Sequence, residues 1–403
     1  MSNLVEDLKN DAREIAGDLA ELRHALHLEP ELGLELPRTQ EKVLGALDGS
    51  GIELTLGKGL NSVIGVLRGS RPGPTVLLRG DMDALPLQET SVSDVPISRF
   101  DGVMHACGHD LHTSMLVGAA RLLAARREQL AGNVVFMFQP GEEGEDGAGH
   151  MIAEGVLAAS GTHPTAAYAL HVSSGMLPRG VFGARPGPMM ASCADLRVTV
   201  HGRGGHGSAP FRANDPIPAA CEMVTAIQTA VTRKFDIFDP VVVTVGSFHG
   251  GTKENIIPEF AHFDATVRTF SAAASERTRE VLVPLIEGIA QAHGLEVEVS
   301  FEGLYPATIN DAHAIDIVRD TVGELFGQDR FETMPQPLAG AEDFSRVLQQ
   351  VPGAMVFLGA TIEGRDHQNS PWNHSPEAAF DDRVLPDGST LLARLALDHL
   401  AGA

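Results

Sequence analysis

The sequence predicts an α/β protein whose mostly parallel-sheet domain, with helices on both faces, is interrupted by a smaller α+β domain. Three observations predict it. Apolar strand-like runs alternate with stretches of helical periodicity, acids and glycines gather where those runs end, and from Met190 the runs change to strict in–out alternation.

From Leu4 to Leu47 apolar residues recur at helical spacing, broken around Pro30 and Pro37. Strand-like runs follow over 62–69, 75–86 and 133–144, and the stretch 111–130 between the last two reads as a helix. In a sheet built this way, sites lie at the carboxyl ends of strands, where the acids sit. DLRVTVHGRG, VVVTVGSFHGG and FAHFDATVRTF then alternate, with a helix expected from Pro216 to Val231 and another from Glu276 to Gly294, before the strand LEVEVSFEG. This segment, 190–303, is expected to be an inserted domain, and 1–189 with 304–403 a discontinuous larger one.

The 403 residues are 43% hydrophobic and 21% charged, which is ordinary globular composition. Lys plus Arg number 30 against 53 Asp plus Glu, a net charge of −23 that disfavours nucleic acid and anionic membranes as partners. The longest apolar runs, such as Val134 to Phe138, are far shorter than a membrane helix requires. Acidic residues stand near the start where a secretory signal carries basic ones, so a soluble cytoplasmic protein is expected. Cys107, Cys193 and Cys221 are too few and scattered for a disulfide framework.

The densest chemical signal is MHACGHDLH, with His105, Cys107, His109 and His112 just ahead of a helix. Sulfur and imidazole donors this close together suit a metal, although a buried Cys with helix-capping histidines would look the same. QPGEEG places Glu142 and Glu143 side by side at a strand end, either dividing ligation and proton transfer or forming a solvated acidic turn. Asp81 and Asp83 lie on one side of an extended chain, able to orient a ligand or to bond loop backbone. His171 closes an apolar run and His374 lies in a loop of turn-formers. In the inserted segment His201 and His206 sit among glycines, where a His can bring a polar donor close to a substrate or lie in a surface turn; Asn255 and Arg268 follow, and the Arg can hold a carboxylate or join a cross-strand ion pair.

Taken in order, MHACGHDLH, QPGEEG, LHV, GGHGSAP, NIIP, GAEDFS and NHSPE resemble the metal-dependent amidohydrolases that include aminoacylases, hippurate hydrolase and indoleacetyl-amino-acid hydrolases. Those belong with the dinuclear metallopeptidases that also include glutamate carboxypeptidase. LRHALHLEPELGLELPRT extends the likeness to nearly the whole chain. The resemblance implies two divalent cations per chain, zinc, manganese, cobalt or nickel, held by Cys107, His109, Glu143, His171 and His374. Cys107 stands where the wider family has a bridging aspartate, and Asp81 where it has a ligating histidine. Asp81 and Asp83 would orient ligands. Glu142 resembles the general base acting on metal-activated water, with a pKa expected to be raised by burial. His206 resembles a lid-domain histidine supplied across a homodimer interface, and Asn255 and Arg268 resemble contacts to the substrate carboxylate.

The activity so implied is hydrolysis of N-acyl-L-amino acids to a carboxylic acid and a free amino acid. Dipeptidase or carboxypeptidase action at the same site is the alternative. A cysteine-nucleophile hydrolase using Cys107 with His109 or His171, and a non-catalytic metal- or peptide-binding protein, are the remoter readings.

Overall fold

The structure, a computed structural model, describes residues 2–90 and 97–401. The chain opens with helices α1 (Ser2–Glu14), α2 (Ala16–Leu28) and α3 (Pro37–Leu47), then strands β1 (Glu53–Leu56), β2 (Val63–Arg68) and β3 (Arg71–Asp81). Next come α4 (His109–Ala124), β4 (Ala131–Gln139), α5 (Gly147–Ala153), β5 (Ala166–Ser173), β6 (Phe182–Ala184), β7 (Gly187–Met190), β8 (Cys193–His201) and β9 (Gly205–His206). They are followed by α6 (Pro216–Lys234), β10 (Val241–Gly250), β11 (Ile256–Ile257), β12 (Phe260–Thr269), α7 (Ala272–Ala292) and β13 (Glu296–Tyr305). The last part holds β14 (Thr308–Asn310), α8 (Ala312–Phe326), β15 (Phe331–Thr333), α9 (Ser345–Leu348), β16 (Gly353–Gly359) and α10 (Leu385–Ala401).

These elements form two compact units. One comprises residues 1–189, 309–336 and 346–403, the other 190–308 and 337–345. The second runs past Gly303, the end the strand pattern suggests, because β13 continues to Tyr305.

The larger unit is built on a sheet of order β1-β2-β4-β3-β5-β16-β6-β15. Its four central strands, β4, β3, β5 and β16, run parallel, with antiparallel pairings at β1, β2 and β6. Covering a sheet on both faces leaves its strands buried throughout, and β5 (AAYALHVS) and β16 (GAMVFLG) are buried at every position. Helix α4 is buried along nearly its whole length, including its polar first turn, so it lies inside the unit.

The smaller unit is a four-stranded antiparallel sheet, β10-β12-β8-β13. Ala194, Leu196, Val198 and Val200 of β8 and Ala261, Phe263, Ala265 and Val267 of β12 alternate inward. They pack against Ala220, Met223 and Ile227 of α6 and Leu282 and Ile286 of α7. Asp215 and Ser271 cap these two helices by accepting backbone N–H groups. A two-stranded ribbon pairs His206 with Ile256. No described helix is long and apolar enough to cross a membrane.

Candidate metal centre

Parallel strands deliver their carboxyl ends to one edge, and the acids and imidazoles of the larger unit gather there. Strand β3 ends at Asp81 with Asp83 just beyond, β4 leads through Gln139 to Glu142 and Glu143, β5 carries His171 near its end, and α4 begins at His109. Between Cys107 and His109, Gly108 takes a left-handed φ of 87°, and a Cβ there would lie 2.3 Å from Val172 Cγ2. Only glycine fits that turn, which lets the thiol and the imidazole on either side enter one space.

Of the donor groups that result among the described residues, two meet at one sulfur. The ligating atoms of Cys107, His109 and His171 all lie within 4.8 Å of one another, and so do those of Cys107, Glu143 and His374. Cys107 belongs to both. Its Sγ is 3.4 Å from His171 Nε2 and 3.3 Å from His374 Nε2, while His374 Nε2 is 3.1 Å from Glu143 Oε1. His374 has a φ of 67°, rare for a side chain of its size, and its backbone N–H donates to Ala106 O at 2.9 Å. Its side chain is 53% exposed, so this edge of the group opens to solvent.

Hydrogen bonds fix which ring nitrogens are available. His171 Nδ1 donates to Val172 O at 2.8 Å, leaving the Nε2 lone pair toward Cys107. His112 Nε2 accepts the backbone N–H of Val172 at 2.7 Å, so its proton is on Nδ1 and is donated to Asp81 at 2.6 Å. His112 therefore has no lone pair to offer, although its ring also falls within a close group with Asp81 and His109. His109 is the opposite case: among the described residues, neither of its buried ring nitrogens has a hydrogen-bond partner. Leaving such atoms unpaired costs about 1–3 kcal/mol each, a penalty that coordination removes. Thiolate, imidazole and carboxylate donors in this arrangement fit a pair of borderline divalent cations.

The protonation equilibria point to the same space. Burial opposes a charge on His109, but Asp81, the Cys107 thiol and Asp83 outweigh it and raise its pKa well above the ordinary value. Hydrogen bonds to Cys107 and Glu143 push His374 up to about 10. Burial, with His112 and His109 as neighbours, drives His171 well below the ordinary range and keeps it neutral. Burial disfavours the Asp81 carboxylate, yet Arg79, His109 and His112 prevail and hold it well below the usual range.

Glu142 is buried, and its carboxylate lies within 4.8 Å of the ligating atoms of His109 and Glu143. Asp83 accepts the backbone N–H groups of Glu142 and Glu143, each at 3.0 Å, and its Oδ1 is 3.4 Å from His109 Nδ1. Asn373, a residue the sequence reading passed over, donates to the carbonyls of Cys107 and Val172 at 3.0 Å each and accepts the N–H of Ser174 at 3.0 Å. Its only sequence signal is its place beside His374.

The smaller unit carries the remaining candidates. His206 is exposed, and its Nδ1 accepts the backbone N–H of Ser208 at 3.1 Å, so the neutral ring carries its proton on Nε2. Asn255 is on the adjoining loop, where its carbonyl accepts the N–H of Gly207 at 2.8 Å. Arg268 is near the far end of β12, opposite Val242, and lies outside the ribbon that pairs His206 with Ile256. His201 lies 3.2 Å from Glu298 on the neighbouring strand β13.

Residues 77–398 match the profile of peptidase family M20/M25/M40. The chain belongs to that family. This M20 chain is 39% identical over 400 residues to thermostable carboxypeptidase 2 of Saccharolobus solfataricus, covering 98% of each. It is 35% identical over 391 residues to the hippurate hydrolase of Campylobacter jejuni, covering 96% of this chain and 98% of that one. Among solved structures, a Bacillus subtilis dinuclear metal binding peptidase from M20 family is similar with a TM-score of 0.82 at 30% identity, over 97% of this chain and 100% of that one. The protein is a metallo-hydrolase of the M20 family, with the mostly parallel α/β fold its sequence predicts.

Proposed function

We propose that this M20 enzyme hydrolyses the amide bond of N-acyl-L-amino acids, with Cys107, His109, Glu143, His171 and His374 holding two divalent cations. The observation that carries this reading is the membership of Cys107 in two donor groups beside the buried carboxyl of Glu142. Bound there, the cations would supply Lewis acidity toward a water molecule and the amide carbonyl.

The chain's own residues do the rest. Glu142 takes the proton of the attacking water and returns it to the departing amine, the two proton transfers that amide hydrolysis requires. Asp83 holds the backbone on which Glu142 and Glu143 sit, and stands beside His109. His206, protonated on Nε2, is suited to donate to the oxyanion that forms at the carbonyl carbon. Arg268 and Asn255 are assigned to the α-carboxylate of the substrate. The smaller unit is also assigned the pairing of two chains. Its β10 is an edge strand, with Val242 on it 50% exposed and Phe238 just before it 89% exposed. Light scattering on the intact protein checks that assignment, and an active monomer would contradict it.

A carboxypeptidase reading is favoured by the similarity to thermostable carboxypeptidase 2. Both reactions release an amino acid with a free carboxylate, and they differ in what precedes the amide. Rates on N-acetyl and N-benzoyl amino acids and on dipeptides with a free amino group decide between them. Faster turnover of the N-acyl substrates is expected; a clear preference for the dipeptides would overturn the first choice.

A further inference from the structure

The ladder between β3 and β5 runs from Val76–Ala166 to Arg79–Ala169 and stops, although β5 stays paired with β16 as far as Ser173. Ser173 O accepts the N–H of Ala360 on the β16 side, so the alternation of the strand turns the N–H of Val172 toward the vacated β3 side. A buried N–H without a strand partner must be satisfied by something else. His112, reaching across from α4, supplies the acceptor at 2.7 Å.

The other face of that imidazole is equally committed. His112 Nδ1 donates to Asp81 Oδ1 at 2.6 Å, Asp81 Oδ2 pairs with Arg79, and Arg79 Nε donates to Gln139 at 2.9 Å. Thr113, the next residue on the helix, donates to Asp81 O at 2.7 Å. At Gly80 a Cβ would lie 2.9 Å from the His112 carbonyl, so the helix is seated directly on the strand. One continuous string thus joins β4, β3, α4 and β5: α4 and β5 carry His109 and His171, and β4 and β3 lead to Glu142 and Glu143 and to Asp83.

We propose that His112 is a positioning residue for the dinuclear centre: a neutral imidazole that takes the place of the missing β3 partner of Val172 and thereby fixes His171 relative to His109 and Cys107. His109 and His112 are one helical turn apart, with rings 5.3 Å from each other, and the His112 ring is 4.6 Å from that of His171. A shift of the Val172 backbone would move the neighbouring imidazole, whose Nδ1 is tied to the Val172 carbonyl. The inference rests on the two-cation reading of the site.

Two measurements on the intact protein test it. Nitrogen-15 histidine NMR of the wild-type chain, with and without zinc, reads the tautomer: His112 is expected as the Nδ1–H form at pH 7.5, and an Nε2–H or doubly protonated ring would overturn the proposal. Zinc affinity, measured by competition with a chromophoric chelator, is then compared for wild type, His112→Gln and His112→Leu. Gln can still donate to Asp81 and accept from Val172, whereas Leu can do neither. The Leu variant is expected to bind zinc roughly 10–100-fold more weakly and the Gln variant to recover part of that loss. Wild-type affinity in a folded Leu variant, or a folded Gln variant no better than Leu, would overturn the role. If Leu prevents folding, the Gln variant and the tautomer decide. A wild-type chain that takes up no zinc, cobalt or manganese would overturn the two-cation reading and this role with it, whereas a loss confined to the variants supports both.

Discussion

Asp83 Oδ1 accepts the backbone N–H of Glu142 at 3.0 Å. Its other oxygen takes the N–H of Glu143, so one carboxylate holds the turn that presents both the proposed base and a proposed ligand. Asp83→Asn replaces one of these acceptors by an NH₂ group facing an N–H donor. Stability is expected to fall by about 1–3 kcal/mol. Turnover of an N-acyl amino acid is expected to fall roughly 10–100-fold. Thermal melts and steady-state kinetics check both, and unchanged kcat/KM would remove Asp83 from this role.

Glu142 and His109 are neighbours with different expected tasks. Glu142→Gln is expected to keep bound metal while losing about 10²–10⁴ in kcat, the range of general acid–base catalysis. His109→Ala is expected to lose metal and turnover together. Elemental analysis beside kinetics separates the two, and full activity in Glu142→Gln would show that the base lies elsewhere.

Cation binding is expected to release protons. His374, at about 10, and His109, raised well above its ordinary value, hold protons at pH 7.5 on the nitrogens assigned to the metals. Coordination displaces those protons, so affinity rises with pH up to the His374 value. Titration calorimetry in buffers of different ionisation enthalpy counts the protons. More than one per chain is expected, with fewer in His374→Ala; no release would contradict the ligand assignment.

His105 is buried without a hydrogen-bond partner among the described residues, facing Asp110, His27, His109 and Asp83, and burial lowers its pKa to about 4. The unfolded chain protonates this histidine near pH 6.5, the folded chain only near 4. Between those values the unfolded state binds more protons, so stability is lost as pH falls through the window. The loss amounts to about 3 kcal/mol, from roughly 1.4 kcal/mol per pKa unit. Urea unfolding of the metal-free protein at pH 7 and 4.5 is expected to show this slope in wild type and a shallower one in His105→Leu. Parallel profiles would contradict it.

Much of this centre was legible in the chain because its donors come in tight local groups: Cys107 and His109 around one glycine, Glu142 beside Glu143, Asp81 near Asp83. His112 was not, since at the sequence level it looks like one more donor of the same cluster. Its commitment depends on the Val172 N–H, brought to it from a distant strand. Asn373 was hidden for a similar reason, as both carbonyls it holds belong to distant segments. In the fold, the alternation of β8 and β12 was readable, being a plain record of one buried face. The helix expected over 111–130 ends at Ala124, and Arg127–Gln129 form a short 3₁₀ turn instead of continuing it. Strand β3 begins at Arg71, ahead of the expected Thr75; Pro72 and Pro74 argue against a strand there but lie in an opening stretch that is not buried.

The central claim is that two divalent cations at Cys107 and its neighbours drive amide hydrolysis. The direct test is metal content by elemental analysis, alongside hydrolysis of an N-acyl amino acid before chelation, after chelation, and after re-addition of zinc, cobalt, manganese or nickel. The account predicts up to two metals per chain, loss of activity on chelation and its return with metal. Hydrolysis that survives chelation in metal-free protein would contradict it and point to Cys107 as a nucleophile.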